Sequence, residues 1–191
     1  MLFRSSGGGK STMALELLKN PDYFLLSEDT PFIDRHGRIL PFPLRIGVSP
    51  GTNTGIPAKF LRTVRRMEFD PKMLIDIEYF SERLGRITKP GLMLVGERNL
   101  GTESAIVPIS KTKAFKALLK YMVVGLGIYQ GLEFLLERGI MEIIGKADVV
   151  ASRLNNSFKL LSSVNTYKFV LGRNTEKNYE TLVAFIDKTL G

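Results

Sequence analysis

The chain has 191 residues, 44% of them hydrophobic, which is enough for one well-packed domain and short for two. Its 27 Lys and Arg against 19 Asp and Glu give a formal charge of +8, favouring anionic partners such as nucleotides, an acidic protein face or nucleic acid. Cysteine is absent, so disulfides and thiolate–metal sites are excluded, and the single histidine, His36, cannot build a histidine-rich metal centre.

In chain order, Leu2 and Phe3 read as the last residues of a strand. The run "KSTMALELLK" (10–19) then combines Met13, Leu15, Leu17 and Leu18 with good helix formers, so the expected order is strand, glycine loop, helix. "YFLLSED" (23–29) reads as a short buried strand ending in Glu28 and Asp29. In "TPFIDRHGRILPFP" (30–43) the residues "DRHG" have the composition of a hairpin tip, and the short strands on either side are expected to pair. His36, at that tip, reads as an exposed turn residue. Residues 45–57, "RIGVSPGTNTGIP", are rich in Gly, Pro, Ser, Thr and Asn and are expected to form a long loop with a functional role. A short helix is expected over "AKFLRTVRR" (58–66).

Farther along, "MLIDIEYF" (73–80) reads as a strand that turns at its end, "GLMLVGE" (91–97) as an apolar strand and "SAIVPIS" (104–110) as another. "KTKAFKALLKYM" has helical spacing, with Ser110 placed to cap it. Helical structure is expected to continue to about Leu154. The apolar run 118–136 carries Lys120, Gln130 and Glu133 and reads as a buried helical region, not a membrane span. "FKLLSSVNTYKFVLG" (158–172) reads as a β-hairpin and "TEKNYETLVAFIDKTL" (175–190) as an amphipathic helix capped by Asn174 or Thr175. No repeat, interdomain linker or secretory leader is read, so a single domain over 1–191 in the cytoplasm, with no membrane partner, is the expectation.

The chemistry concentrates near the start. "RSSGGGKS" (4–11) fits the phosphate-loop pattern G-x-x-x-x-G-K-[ST] at every defined position but the first, where Arg4 stands for glycine. Gly7, Gly8 and Gly9 would let backbone N–H groups converge on phosphate oxygens, and the helix that follows adds partial positive charge at its N-terminus. Lys10 would reach the β- and γ-phosphates, Ser11 would place its hydroxyl on Mg²⁺, and Thr12 is a neighbouring hydroxyl. The plain alternative is a flexible glycine linker, which fits poorly with the apolar residues before it and the helix formers after it. Glu28 and Asp29, one expected strand later, could hold Mg²⁺ or accept a proton from an attacking hydroxyl, or could simply be a solvated strand end.

The run "SSGGGKSTMALELL", then "FLLSED", then a hairpin and "ILPFPLRI", resembles the nucleotide-binding core of HPr kinase/phosphorylase relatives, within the phosphoenolpyruvate carboxykinase-like P-loop fold. The resemblance is specific over about residues 3 to 48 and architectural beyond. It implies an α/β P-loop domain with a mixed β-sheet and flanking helices. It also implies ATP and Mg²⁺ as ligands, with Gly7, Gly8, Gly9, Lys10, Ser11 and Thr12 as the phosphate loop. Glu28 and Asp29 match the family's Asp-Asp pair: Asp29 is the proton acceptor or metal contact, and Glu28 is a longer replacement. The chain departs from the family at Arg4 and at "GERNLG", which echoes the Glu-x-Arg-Gly-Leu-Gly signature at another spacing. The family's region with a functional histidine lies upstream of the matched part, and β-structure before Met1, or another segment in its place, is expected in the parent fold. Specific phosphorylation of HPr is therefore not implied.

The expected activity is an HPr kinase-like transfer of a γ-phosphate to a hydroxyl of a protein, peptide or small molecule. The alternatives are a nucleotide-dependent switch or ATPase, in which Glu97 could orient metal or water, and a binding protein without catalysis. Nucleic acid is a weaker partner, a homo-oligomer is left open, and Arg83, Arg86 and Arg98 could assist transition-state charge if they fold toward the loop.

Overall fold

The computed structural model describes residues 2–3, 10–28, 31–66, 69–119 and 140–190. Their backbone is α/β, with mixed and antiparallel sheets and flanking helices, and it gathers into two compact units. Gly9–Phe32 and Ile39–Thr88 form one; residues 1–8, the hairpin tip Ile33–Arg38 and everything from Lys89 onward form the other.

In the larger unit β1 (Leu2–Phe3) pairs in parallel with β7 (Leu92–Arg98), Phe3 opposite Val95. β7 pairs in parallel with β9 (Asn165–Leu171), and β8 (Ala105–Pro108) closes the order β1-β7-β9-β8 by running antiparallel to β9. β7 is flanked on both sides, which explains why "LMLV" is a continuous apolar run: Leu92, Met93 and Leu94 are all buried. Helix α2 (Lys111–Leu118) starts where expected, the Ser110 hydroxyl accepting from the Lys113 N–H at 3.3 Å. Its Ala114 and Leu118 pack with Met93, Leu160, Leu161 and Val164 into a core cluster.

Leu160 and Leu161 lie in helix α3 (Ile140–Ser163), which corrects the expected hairpin over 158–172. The hydroxyls of Ser157, Ser162 and Ser163 donate to carbonyls three or four residues back, letting the helix carry them to its end. Only the second half, β9, is strand. Helix α4 (Thr175–Leu190) is capped by Asn174, whose Oδ1 accepts from the Lys177 N–H at 3.1 Å. The apolar run 118–136 lies almost wholly outside the described residues, among which no helix is long and apolar enough to cross a membrane.

The smaller unit holds α1 (Lys10–Leu17) against an antiparallel sheet of order β4-β6-β5. Here β4 is Ile46–Val48, β5 is Leu61–Arg66 and β6 is Phe69–Ile75. Two expectations are corrected. The loop expected from 45 begins with a buried strand, because Ile46 and Val48 oppose Ile75 and Met73 in the core. The helix expected over 58–66 is a single 3₁₀ turn, Ala58–Phe60, followed by strand β5. Thr63 and Val64 are β-branched, and Leu61 gains a place opposite Ile75, so tertiary pairing overrides the helix formers. β5 is an edge strand bearing Arg62 and Arg65 and an irregularity between Val64 and Arg66.

Segment 23–28 makes a single bridge, Leu25 with Leu84, in place of the expected strand. It is an extended connection pinned on both sides: Leu25 N–H donates to Arg83 O at 2.8 Å, Gly85 N–H to Leu25 O at 2.9 Å and Phe42 N–H to Leu26 O at 2.8 Å. Short strands β2 (Phe32–Ile33) and β3 (Ile39–Leu40) pair around the tip, as expected.

One buried amide closes the larger unit. Asn178 on α4, 4% exposed, donates through Nδ2 to the Gly172 carbonyl at 3.0 Å and accepts through Oδ1 from the Gly172 N–H at 2.9 Å. Gly172 itself leaves no room, since a Cβ there would stand 2.5 Å from the Thr102 carbonyl oxygen. Asn178→Ala strands both backbone groups of Gly172 and is expected to cost about 2 kcal/mol, read as a lower urea midpoint at unchanged m-value.

Candidate functional site

Three of the six phosphate-loop residues stand at the start of α1: Lys10, Ser11 and Thr12, each half-buried. Gly7, Gly8, Gly9 and the acidic Asp29 lie outside the described residues. Glu28 is described, and the chain brings it to the loop: the Ser11 hydroxyl donates a short hydrogen bond to Glu28 Oε1, joining residues seventeen positions apart. This pairs the hydroxyl that the motif assigns to Mg²⁺ with a carboxylate from the acidic pair. Adjacent ligands in a Mg²⁺ octahedron, each about 2.0–2.1 Å from the ion, lie about 2.9 Å apart, so this closer pair would have to separate slightly for both oxygens to enter one metal shell. Among the described residues no group of three or more His, Cys, Asp or Glu gathers. Ser11 and Glu28 are the two described oxygen donors a Mg²⁺ ion, which takes one or two protein oxygens beside phosphate and water, could use here.

The arginines divide. Arg83 donates from Nε to Tyr23 O at 3.2 Å and from Nη2 to Leu18 O at 3.1 Å, to Tyr23 O at 2.9 Å and to Asn20 O. It therefore sits at the C-terminal end of α1, where a cation is favoured by the helix dipole and by unpaired carbonyls, at the opposite end from the phosphate loop. Seven residues separate Ser11 from Leu18, about 10 Å of helix. Arg86 is exposed. Arg98 ends β7, in the larger unit, next to the exposed Glu97, which forms an ion pair with Lys168 at 3.4 Å. Because β1 and β7 are parallel, these residues lie at the sheet edge toward which β1 also runs.

A cavity of about 420 Å³ opens beside α1 in the smaller unit, walled by the Thr12–Glu16–Lys19 side of the helix, by the loop Thr52–Ile56 and by the turn that carries Tyr79 and Arg83. The loop was legible as a loop. Tyr79 was not singled out, because "MLIDIEYF" reads locally as apolar packing; its only signal was a polar-tipped aromatic at the turning end of that segment.

His36 is an exposed turn residue, as expected. Its neighbour Asp34 holds the hairpin tip, accepting from the N–H groups of His36 and Arg38 at 2.8 and 2.9 Å and from Arg38 Nε at 2.8 Å. Desolvation pushes the Asp34 carboxyl up, but these donors and the Arg38 charge outweigh it and hold it at about 2, below its ordinary 3.8.

In comparisons with known proteins, no family model, no curated protein and no solved structure matches the chain.

Two outcomes are expected. Arg83→Leu leaves the carbonyls of Leu18, Asn20 and Tyr23 without their shared donor and lowers stability by about 2 kcal/mol in urea unfolding, whereas Arg86→Leu changes it by less than about 0.5 kcal/mol. The Asp34 carboxyl carbon titrates by NMR with a midpoint near 2. Because its pKa is depressed on folding, its contribution is fully present above 3.8, fades as pH falls toward 2, and Arg38→Leu moves the midpoint back up.

Proposed function

We propose that the chain binds ATP with Mg²⁺ at the N-terminus of α1 and transfers the γ-phosphate to a hydroxyl of a protein, peptide or small molecule, as a P-loop phosphotransferase of the HPr kinase-like type. The observation that carries this reading is the Ser11–Glu28 contact, which joins the motif's metal-binding hydroxyl to a carboxylate of the acidic pair.

In this mechanism Gly7, Gly8 and Gly9 present backbone N–H groups to the phosphates, and Lys10 neutralises charge on the β- and γ-oxygens. Mg²⁺, when bound, would supply positive charge that screens the phosphates. Ser11 and Glu28 supply protein oxygens on the metal side. Asp29 accepts the proton of the acceptor hydroxyl as its oxygen bonds to Pγ; the bond from Pγ to the β–γ bridging oxygen breaks, and its electron pair leaves with ADP. Most of the catalysis comes from positioning and charge neutralisation.

A second reading, a nucleotide-dependent switch or ATPase, is favoured by one observation: the loop Thr52–Ile56 shares a cavity with Thr12, so a ligand there would touch the loop directly.

Mg-ATP at a hundredfold excess over its Kd is expected to stabilise the protein by about 2.7 kcal/mol, read as a thermal shift. Lys10→Ala removes the shift, and Glu28→Gln weakens only its Mg²⁺-dependent part. Labelled γ-phosphate appearing on an added acceptor supports the transferase, and release to water alone supports the switch. Absence of any shift with ATP, GTP or pyrophosphate overturns both and leaves a binding protein without nucleotide chemistry.

A further inference from the structure

The cavity beside α1 has a shape, a charge state and a position that select its occupant. We infer that it receives the nucleoside part, base and ribose, of the nucleotide whose phosphates the preceding section places at Lys10–Thr12; the inference rests on that reading.

Position comes first. Thr12, Leu15 and Glu16 recur at helical spacing and make one stripe down α1, beginning at the phosphate end, and Lys19 continues the wall in the turn beyond the helix. Ser11 points about 100° away from Thr12 around the helix and is spent on Glu28. The metal, the γ-phosphate and the attacking hydroxyl belong on the Ser11–Glu28 side, so the Thr12 stripe is left for the end of the nucleotide that does not react. From Thr12 to Glu16 the stripe runs about 6 Å, and the turn to Lys19 extends it, leading from the phosphates past a ribose toward a base.

Charge narrows the class. The ionic groups on the cavity wall already have partners: Glu16 binds Lys19 at 2.6 Å, and the Arg83 guanidinium is taken up by the carbonyls at the end of α1. Beside these charged groups the loop adds neutral polar ones. Thr54 Oγ1 accepts from the Ile56 N–H and Asn53 Oδ1 from the Gly55 N–H, which keeps the hydroxyl proton and the amide nitrogen available as donors. Ribose hydroxyls and the polar edge of a base would find donors and acceptors here.

The third feature is a flat apolar surface. Tyr79 is 40% exposed, and its ring is steadied by Phe80 at 5.0 Å and Phe60 at 5.3 Å between centroids. A braced aromatic ring with an open surface is the usual platform for stacking a base, and it does not depend on which base is present. At about 420 Å³ the cavity falls within the roughly 300–1,000 Å³ of small-molecule sites.

The test is calorimetric titration of the full chain with Mg-ATP and with Mg-tripolyphosphate, which keeps the phosphates and lacks the nucleoside. Wild type is expected to bind ATP about tenfold or more tightly than tripolyphosphate. Tyr79→Leu should weaken ATP about tenfold with tripolyphosphate unchanged, in line with stacking on an aromatic ring. Thr54→Trp, a loop substitution that fills the cavity, should do the same, and it serves if Tyr79→Leu fails to fold. Lys10→Ala should lose both ligands. The inference is overturned, with the phosphate site intact, if wild type binds the two ligands equally or if either folded cavity variant leaves ATP affinity unchanged or weakens both ligands alike. If neither ligand binds wild type, the phosphate-site reading fails and this inference falls with it.

Discussion

The candidate site depends on one guanidinium. Arg83 gathers carbonyl oxygens from Leu18, Asn20 and Tyr23, and so fastens the end of α1 to the segment that leaves it. Its own backbone carbonyl receives the Leu25 N–H, which holds the next stretch extended toward Glu28. A helix of eight residues is too short to be stable alone, so its direction is set by what it is tied to and packed on. With the C-terminal end fixed by Arg83 and one side by Ile46, Val48 and Ile75, the N-terminal end is carried to Glu28 as a consequence. Here one polar contact and one apolar cluster together position a hydroxyl and a carboxylate that neither could bring together alone.

The larger unit is organised differently. Its centre is a parallel pair, β7 and β9, matched over seven residues, and parallel pairing requires the chain to leave the sheet and return. The return is made through β8, α2 and α3, and α4 then seals the end through Asn178. Polar groups do the sealing because the backbone of Gly172 passes against that of Thr102 and Glu103, too close for any side chain larger than hydrogen.

Elements governed by local chemistry were legible in the amino-acid order. Ser110 and Asn174 announce helices because a cap needs only the next three residues, and Asp34 to Gly37 announce a turn for the same reason. Residues 58–66 misled because Arg and Lys are good helix formers, and the decision for strand belongs to Met73 and Ile75, which the sequence brings in only later. Residues 158–163 are helix and not strand, the Ser162 and Ser163 hydroxyls satisfying helix carbonyls within its last turn. In the site, Lys10, Ser11 and Glu28 were legible as residue types at a meaningful spacing. The cavity was not, because Thr12, Asn53 and Tyr79 share a wall only once three separate segments have folded.

The arginines of β5 bear on how the molecule behaves in company. An edge strand exposes a row of unpaired N–H and C=O groups, and an antiparallel sheet invites extension by any strand that can lie beside it. In β5 that row is flanked by Arg62 and Arg65, so a second copy approaching the same edge would set guanidinium groups against guanidinium groups. The same-charge contact and the broken regularity of the strand both oppose growth from one molecule to the next. A net charge of +8 adds a weaker repulsion at longer range. The edge therefore guards the sheet against polymerisation as well as bounding it.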